Sequence, residues 1–270
     1  MKLTIAIVCS NDHLIKKCLN SIPSQTPIIV VLNYPDKYVS SIVENDKRIT
    51  IFRCDERNLG KLRQIAVDNC KTPAICFVDS DCVLAENMIF AVEKELELAP
   101  AVNIPLHFDY NNLSTKVVSL CRKYTTPDTL LYMPFAFRIS IQKDIGKLFN
   151  DKLSWGEDSD QRKRMREKGL EYIISKSYVT HKVLTIKEDA KSSMRLGVGT
   201  YIQEINGINK KRSFLRDISI FHELVYAIKC HIMTHSFLAG LYHFFIWRPT
   251  YKYGYWKEKI LNGNKNKNNK

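Results

Sequence analysis

None of the eight cysteines falls in a CxxC pair, and no paired histidines accompany the evenly spaced Cys70, Cys76 and Cys82. Closed zinc sites draw their ligands from such pairs, so this scarcity argues against a structural zinc module. The cysteines read instead as reduced, buried residues of a cytosolic protein. No apolar stretch reaches the ~20 residues that a membrane-crossing helix requires. The run from Ile232 to Trp247 lacks formal charges but carries His235 and His243, and it stops short of that length. Met1 to Cys9 is also apolar, yet no small-residue cleavage site follows and Asn11-Asp12-His13 interrupts it at once. It reads as a buried first strand, not a signal peptide. No internal repeat is visible. Acidic residues are few beside basic ones, 28 against 41, which leaves a net charge of +13.

What the chain does have is alternation. Its 270 residues, 45% hydrophobic and 26% charged, suffice for one sizeable core with a smaller appendage. Leu3–Cys9 reads as a strand, and Leu14, Cys18, Leu19 and Ile22 then recur at helical spacing. Ile28–Leu32 is a continuous apolar run, as in a strand covered on both faces. Val39, Ile42 and Val43 predict a short helix, and Ile49–Phe52 a third strand. Leu59, Leu62, Ile65 and Ala66 predict a helix between Asn58 and Asn69, and Ala74–Val78 a fourth strand. Alternating strands and helices imply a mostly parallel, Rossmann-like sheet, which binds ligands beyond the carboxyl ends of its strands. Past about residue 100 the pattern turns irregular, and Ile173-Ile174 and Tyr178-Val179 read as short strands.

The fourth strand ends in Asp79-Ser80-Asp81. Two carboxylates two residues apart at a strand end can hold a hard divalent cation and a ribose hydroxyl, the cation neutralising a diphosphate. A turn in which Asp79 caps the next loop explains the same residues. Roughly eighty residues later, Trp155-Gly156-Glu157-Asp158 precedes a helix over Ser159–Lys168 that Gly169 should stop. Acids at a helix start also have a purely electrostatic explanation. The two features together, in this order, are much rarer than either alone.

At this point the chain resembles the family 2 glycosyltransferases of GT-A fold. Asn11 stands at their strand-end asparagine, and Cys18-Leu19-Asn20-Ser21-Ile22 is similar to their "C-L-x-S-[IL]" helix. Arg57 to Gln64 is similar to their "N-x-G-x-x-x-A-R-N" segment, and the family's second N-x-G is absent after Gln64. Asp79-Ser80-Asp81 matches their DxD, and Glu157-Asp158-Ser159-Asp160 with Arg164 matches "E-D-x-D-x-x-x-R". Ala136-Phe137-Arg138 and Gly146 to Asn150 are similar to the stretch before that acidic pair. The resemblance covers residues 3–200. It implies an inverting transfer of a sugar from a nucleotide-sugar donor, a UDP-sugar, to a hydroxyl of a glycan or lipid-linked acceptor. It implies Asp158 as general base with Glu157 beside it. Mn²⁺ or Mg²⁺ would be held by Asp81, Asp79 and His181. Asn11, Arg63, Asp79 and Ser80 would bind the nucleotide sugar, and Trp155 and Arg164 would lie on the acceptor side. The family's acidic base-reading residues are missing after the second strand, where Asn33 or Asp36 is left to make that contact.

These readings divide the chain into a GT-A domain over 1–200, with a nucleotide-sugar half to about 100 and an acceptor half beyond it. A helical, aromatic and basic extension over 201–261 and a disordered Lys/Asn tail over 262–270 complete it. The extension begins in an apolar, aromatic segment at Ile218. Phe221, Leu224, Val225, Ile228 and Ile232 recur there at helical spacing, a pattern that most often faces a core. Tyr251, Tyr253, Tyr255 and Trp256 then alternate with Arg248, Lys252, Lys257 and Lys259. That mixture suits an anionic membrane surface, so the expected location is cytoplasmic, peripheral on the membrane's cytoplasmic face. Two rivals fare worse. A sugar-nucleotide nucleotidyltransferase would carry a Gly-rich, Arg-containing loop where Cys9-Ser10-Asn11-Asp12 stands. A nucleic-acid-binding module would spread basic and stacking aromatic residues over the sheet, where the sequence has none, so no nucleic-acid partner is expected. The basic run Arg162, Lys163, Arg166 and Lys168 reads as a solvated helix face.

Overall fold

The computed structural model describes residues 1–127, 133–210, 212–213 and 219–268, in two compact units. The first comprises residues 1–107 and 128–182, the second residues 108–127 and 183–270.

The first unit is built on a seven-stranded sheet. Its opening half alternates β1 (Leu3–Cys9), α1 (Ile15–Ser21), β2 (Ile28–Leu32), α2 (Lys37–Glu44), β3 (Ile49–Arg53), α3 (Leu59–Asp68) and β4 (Ala74–Phe77). There follow β5 (Cys82–Leu84), α4 (Met88–Glu95), β6 (Ala101–Asn103) and β7 (Leu106–Phe108). The second unit's first helix, α5 (Leu113–Thr125), interrupts before β8 (Phe135–Arg138), α6 (Gln142–Ile145), α7 (Glu157–Glu167), β9 (Tyr172–Ile174) and β10 (Val179–His181). The large sheet runs β3-β2-β1-β4-β8-β6-β9. Only β8 opposes its neighbours, so the sheet is mostly parallel and α/β, as the alternation implies. Along β1 successive residues serve opposite faces: Leu3, Ile5, Ile7 and Cys9 join one core, Ala6 and Val8 the other. Burial on both faces is why β1, β2 and β4 are near-continuous apolar runs. Strands β6 and β8 are short, and the pattern after residue 100 does not announce them. Together with β9 they extend the sheet past β4.

The smaller sheet has the order β5-β10-β7. Its antiparallel β5–β10 pairing sets His181 opposite Cys82, the residue after Asp81.

The second unit is helical. Besides α5 it contains α8 (Ile186–Ile205), α9 (Ile220–Thr234), α10 (Phe237–Tyr242), a π-helical stretch His243–Trp247, and α11 (Arg248–Asn268). It draws in residues 108–127 and begins at 183, earlier than the 201 read from the sequence. The reason is α8, whose start is marked by a capping box between Thr185 and Glu188. Helices α8 and α11 cross at two glycines. A Cβ on Gly197 would lie 2.0 Å from the Tyr251 carbonyl oxygen, and one on Gly254 2.0 Å from that of Met194. The backbone of α11 runs helical through Asn268, where the sequence reads as a tail; Asn269 and Lys270 lie outside the described residues, as does Ile218.

The basic and aromatic residues of α11 divide between two environments. Tyr255 is fully buried and donates to Glu204 Oε2 at 2.6 Å. Arg248 donates to both Glu223 carboxylate oxygens at 2.8 and 3.0 Å, and Lys252 reaches Oε1 at 2.8 Å. Burial alone would raise Glu223, but these two cations outweigh it and hold its carboxyl down at about 2. A carboxyl depressed in the folded state stabilises above its unfolded value near 4.5 and loses that contribution as pH falls toward 2. Glu223→Gln should therefore cost on the order of 1 kcal/mol at neutral pH, after solvent screening, and almost nothing near pH 2. Urea denaturation at the two pH values measures the difference.

Candidate active site

Helix α3 organises the site. Asn58 caps it, accepting from Lys61 N–H at 3.0 Å, while its side-chain amide donates to the Asp151 carbonyl at 2.7 Å. Gly60 N–H donates to the Leu153 carbonyl at 3.1 Å. A Cβ on Gly60 would lie 2.3 Å from the Asn150 oxygen and 2.7 Å from that of Leu153, so only glycine allows this approach. One turn on, Gln64 Oε1 accepts from Phe149 N–H at 2.8 Å. Asn58, Gly60 and Gln64 thus grip the backbone from Phe149 to Leu153, the segment leading into the acidic pair. Arg63, on the same helix, completes the link. Its Nη1 donates to Glu157, and its Nη2 lies 3.9 Å from Asp79 Oδ1. One guanidinium connects Asp79, at the strand end, with Glu157 of the acidic pair.

Glu157 is 3% exposed, and its burial raises the carboxyl's pKa while the Arg63 charge pulls it down. Asp79 keeps 47% of its side chain open but sits deep among protein atoms. That crowding raises its pKa, Arg63 opposes the rise, and the like charge of Asp81 adds to it. Asp158 is partly exposed at the second position of α7, and its Oδ1 accepts from Ser159 N–H at 2.7 Å. The cap itself is Gly156, at φ 81°, a left-handed geometry that favours glycine. The helix ends as the sequence indicates: Gly169 has φ 65°, its N–H donates to the Arg166 carbonyl, and Leu170 N–H donates to that of Met165.

Asp81 Oδ2 lies 3.3 Å from His181 Nε2 and 3.7 Å from Lys182 Nζ. His181 Nδ1 is 2.9 Å from the Lys182 carbonyl, to which it donates, and its other ring nitrogen, Nε2, is the one that faces Asp81. Among the described residues, no three His, Cys, Asp or Glu side chains group closely enough to hold a metal ion by themselves.

The residues expected on the nucleotide side separate. Asn11 Oδ1 accepts from Asp36 N–H at 2.6 Å. Asp36 caps α2 through Val39 N–H and meets His13 Nε2 at 2.7 Å, and these two bonds hold its carboxyl below the usual range. Asn33 is tied to the loop after β3. It is buried, and its amide donates to the carbonyls of Cys54 and Glu56 at 2.7 and 3.1 Å. Beside it Tyr34, at φ 49°, stays half-exposed with Arg57 stacked 5.7 Å from its ring centroid.

Ser80 Oγ donates to Asp12 Oδ2 at 2.8 Å, and Asp12 Oδ1 accepts from Leu14 N–H. Sequence reasoning missed Asp12 and Lys182; each adjoins a residue that it singled out. Arg164 belongs to the scaffold. Its guanidinium donates to Asp160 Oδ2 at 2.8 Å and to the carbonyls of Ile145, Lys147 and Leu148 at 2.9, 2.6 and 2.8 Å. Trp155 is partly buried just ahead of Gly156.

The family model described as glycosyl transferase family 2 matches residues 4–153, more than half of the chain. No curated protein matches by sequence. The crystal structure of S. aureus TarS 1–349 is similar at TM-score 0.53 and 15% identity, over 96% of this chain and 92% of that one. Its complex with UDP-GlcNAc gives 0.54 and 14%, and its complex with UDP 0.51 and 17%, over the same shares. Likeness at that identity bears on the fold.

Proposed function

The chain belongs to glycosyl transferase family 2, and from that premise we propose that it transfers a sugar from a UDP-sugar to a hydroxyl of a glycan or lipid-linked acceptor, inverting the anomeric carbon. It is a glycosyltransferase and takes a nucleotide-sugar donor; the uridine follows the similar fold solved with UDP-GlcNAc and with UDP. The observation that carries the reading is the Arg63 bridge between Asp79 at the strand end and Glu157 of the acidic pair.

In one displacement, Asp158 takes the acceptor's proton while the acceptor oxygen bonds to the anomeric carbon. The bond from that carbon to the diphosphate breaks, and the nucleotide diphosphate leaves with the electron pair. Asp158 is preferred to Glu157 as base because Glu157 is buried against Arg63, whereas Asp158 is partly exposed and commits one oxygen to Ser159. Glu157 acts through Arg63, which it orients beside Asp79. Asn11 and Asp36 serve the nucleotide, Ser80 is set by Asp12, and Trp155 faces the acceptor.

The donor set fits a divalent cation. Mg²⁺ and Mn²⁺ are commonly held by one or two protein groups, with phosphate oxygens and water completing the shell. Asp81 and His181, a carboxylate and an imidazole facing one another, offer such a pair, with Asp79 adjacent. When bound, the cation supplies charge neutralisation for the departing diphosphate. UDP should bind at least tenfold more weakly in EDTA than in Mn²⁺, and Asp81→Asn should erase the difference. Isothermal calorimetry checks both. Equal affinity in EDTA would assign the diphosphate to Arg63 and Lys182 instead.

A further inference from the structure

The helical unit leaves a large apolar surface uncovered. On α9 the residues that face inward are Glu223, Ala227 and Cys230, and of the stripe anticipated as core Phe221, Leu224, Ile228 and Ile232 are exposed, Phe221 at 73%, while Val225 is partly buried. On α10 and the π stretch, Phe237, Leu238, Leu241 and Phe245 are exposed as well, Phe245 at 67%. The two segments form an antiparallel hairpin. His231 meets Phe237, Gly240 packs on Ala227, His243 lies by Tyr226 and Arg248 pairs with Glu223. At about 100° per residue, each exposed arc sits roughly 90–130° from the hairpin's contact line, in the same rotational sense. In an antiparallel pair that brings both arcs to one side, so they form one face.

Charge identifies what covers it. Between Ser219 and Asn262 the only acids are Glu223 and Glu258, and Glu223 is already matched by Arg248 and Lys252. Lys229 is exposed beyond the apolar arc of α9. On α11, Tyr253, Trp256, Ile260 and Leu261 line an apolar recess of about 550 Å³ with Lys252 and Lys257 at its rim. Lys257 lies 5.7 Å from the Tyr253 ring centroid, and Lys259 4.5 Å from that of Trp256. No helix of the described residues is long and apolar enough to cross a membrane. An apolar arc with lysines and aromatic residues alongside, too short to span, is the composition of a helix lying in a bilayer interface.

We propose that the α9–α10 hairpin docks on an anionic phospholipid bilayer, its apolar face inserted among the acyl chains and Lys229, Lys257 and Lys259 set against the headgroups. The occupant is a lipid surface, because a second copy would bring the same positive charge to the contact. The full chain is co-sedimented with vesicles of phosphatidylcholine alone and with added phosphatidylglycerol, at low and high salt. Binding should require phosphatidylglycerol and weaken at least tenfold at high salt. Replacing Phe221, Ile232 and Phe245 together by Ser should lower it at least tenfold. These side chains are exposed, so circular dichroism and melting should be unchanged. Replacing Lys229, Lys257 and Lys259 by Gln should remove the preference for phosphatidylglycerol. Unchanged binding by the folded triple-Ser chain would overturn the proposal. So would sedimentation velocity showing a dimer that those substitutions dissolve.

Discussion

Asp158→Asn should lower sugar transfer at least ~100-fold and leave the fold and the affinity for UDP nearly unchanged. Asparagine keeps the oxygen that accepts from Ser159 N–H, so the first turn of α7 loses little. It cannot take the acceptor's proton, and a positioned general base contributes typically ~10²–10⁴-fold. In the proposed mechanism donor binding belongs to Asp79, Asp81 and Arg63, and Asp158 serves the acceptor. Asp81→Asn should instead weaken metal-dependent UDP binding and turnover together. Steady-state kinetics beside UDP calorimetry separates the two patterns. Normal turnover by a folded Asp158→Asn enzyme would remove it as the base and leave Glu157 as the next residue to test.

The sequence displays some of this architecture openly and conceals the rest for physical reasons. Strands β1, β2 and β4 are legible because burial on both faces demands unbroken apolar runs, and α3 because Leu59, Leu62, Ile65 and Ala66 recur at helical spacing. Strands β6 and β8 are short, and their pairing is decided by sheet neighbours far along the chain. Among the site residues, position was easier to read than employment. Asn33 does follow the second strand and Arg164 does lie on the acidic helix, but their hydrogen-bonding groups satisfy backbone carbonyls of folded loops. Those carbonyls must be paired somewhere once buried. Sequence spacing cannot tell a side chain that pairs them from one that meets a ligand. The stripe on α9 presents the opposite case: its spacing is that of a core helix, and its exposure emerges only when Glu223 and Ala227 are seen to face inward.

Arg63→Ala should destabilise the protein by about 3–5 kcal/mol, the range for removing one partner of a buried ion pair. The cost arises at Glu157, which is left 3% exposed with its cation gone, so that its ionised form is uncompensated. Two further measurements distinguish this origin from lost packing against Phe149, whose ring centroid lies 5.9 Å from the guanidinium carbon. The first is a double-mutant cycle. Arg63→Ala combined with Glu157→Gln should cost clearly less than the sum of the single changes, because the glutamine leaves no buried charge behind. The second is pH. Burial already raises the Glu157 carboxyl above its ordinary 4.5, and removing Arg63 takes away the chief force opposing that rise. A carboxyl raised in the folded state favours folding below its unfolded value and loses that contribution as pH rises through the folded one. The loss in Arg63→Ala should therefore be smaller near pH 5 than near pH 8, by urea denaturation at each. A destabilisation that ignores pH and adds simply with Glu157→Gln would assign the cost to packing. In that event the bridge between the strand-end carboxylates and the acidic pair would owe its position to the grip of Asn58, Gly60 and Gln64 on residues 149–153.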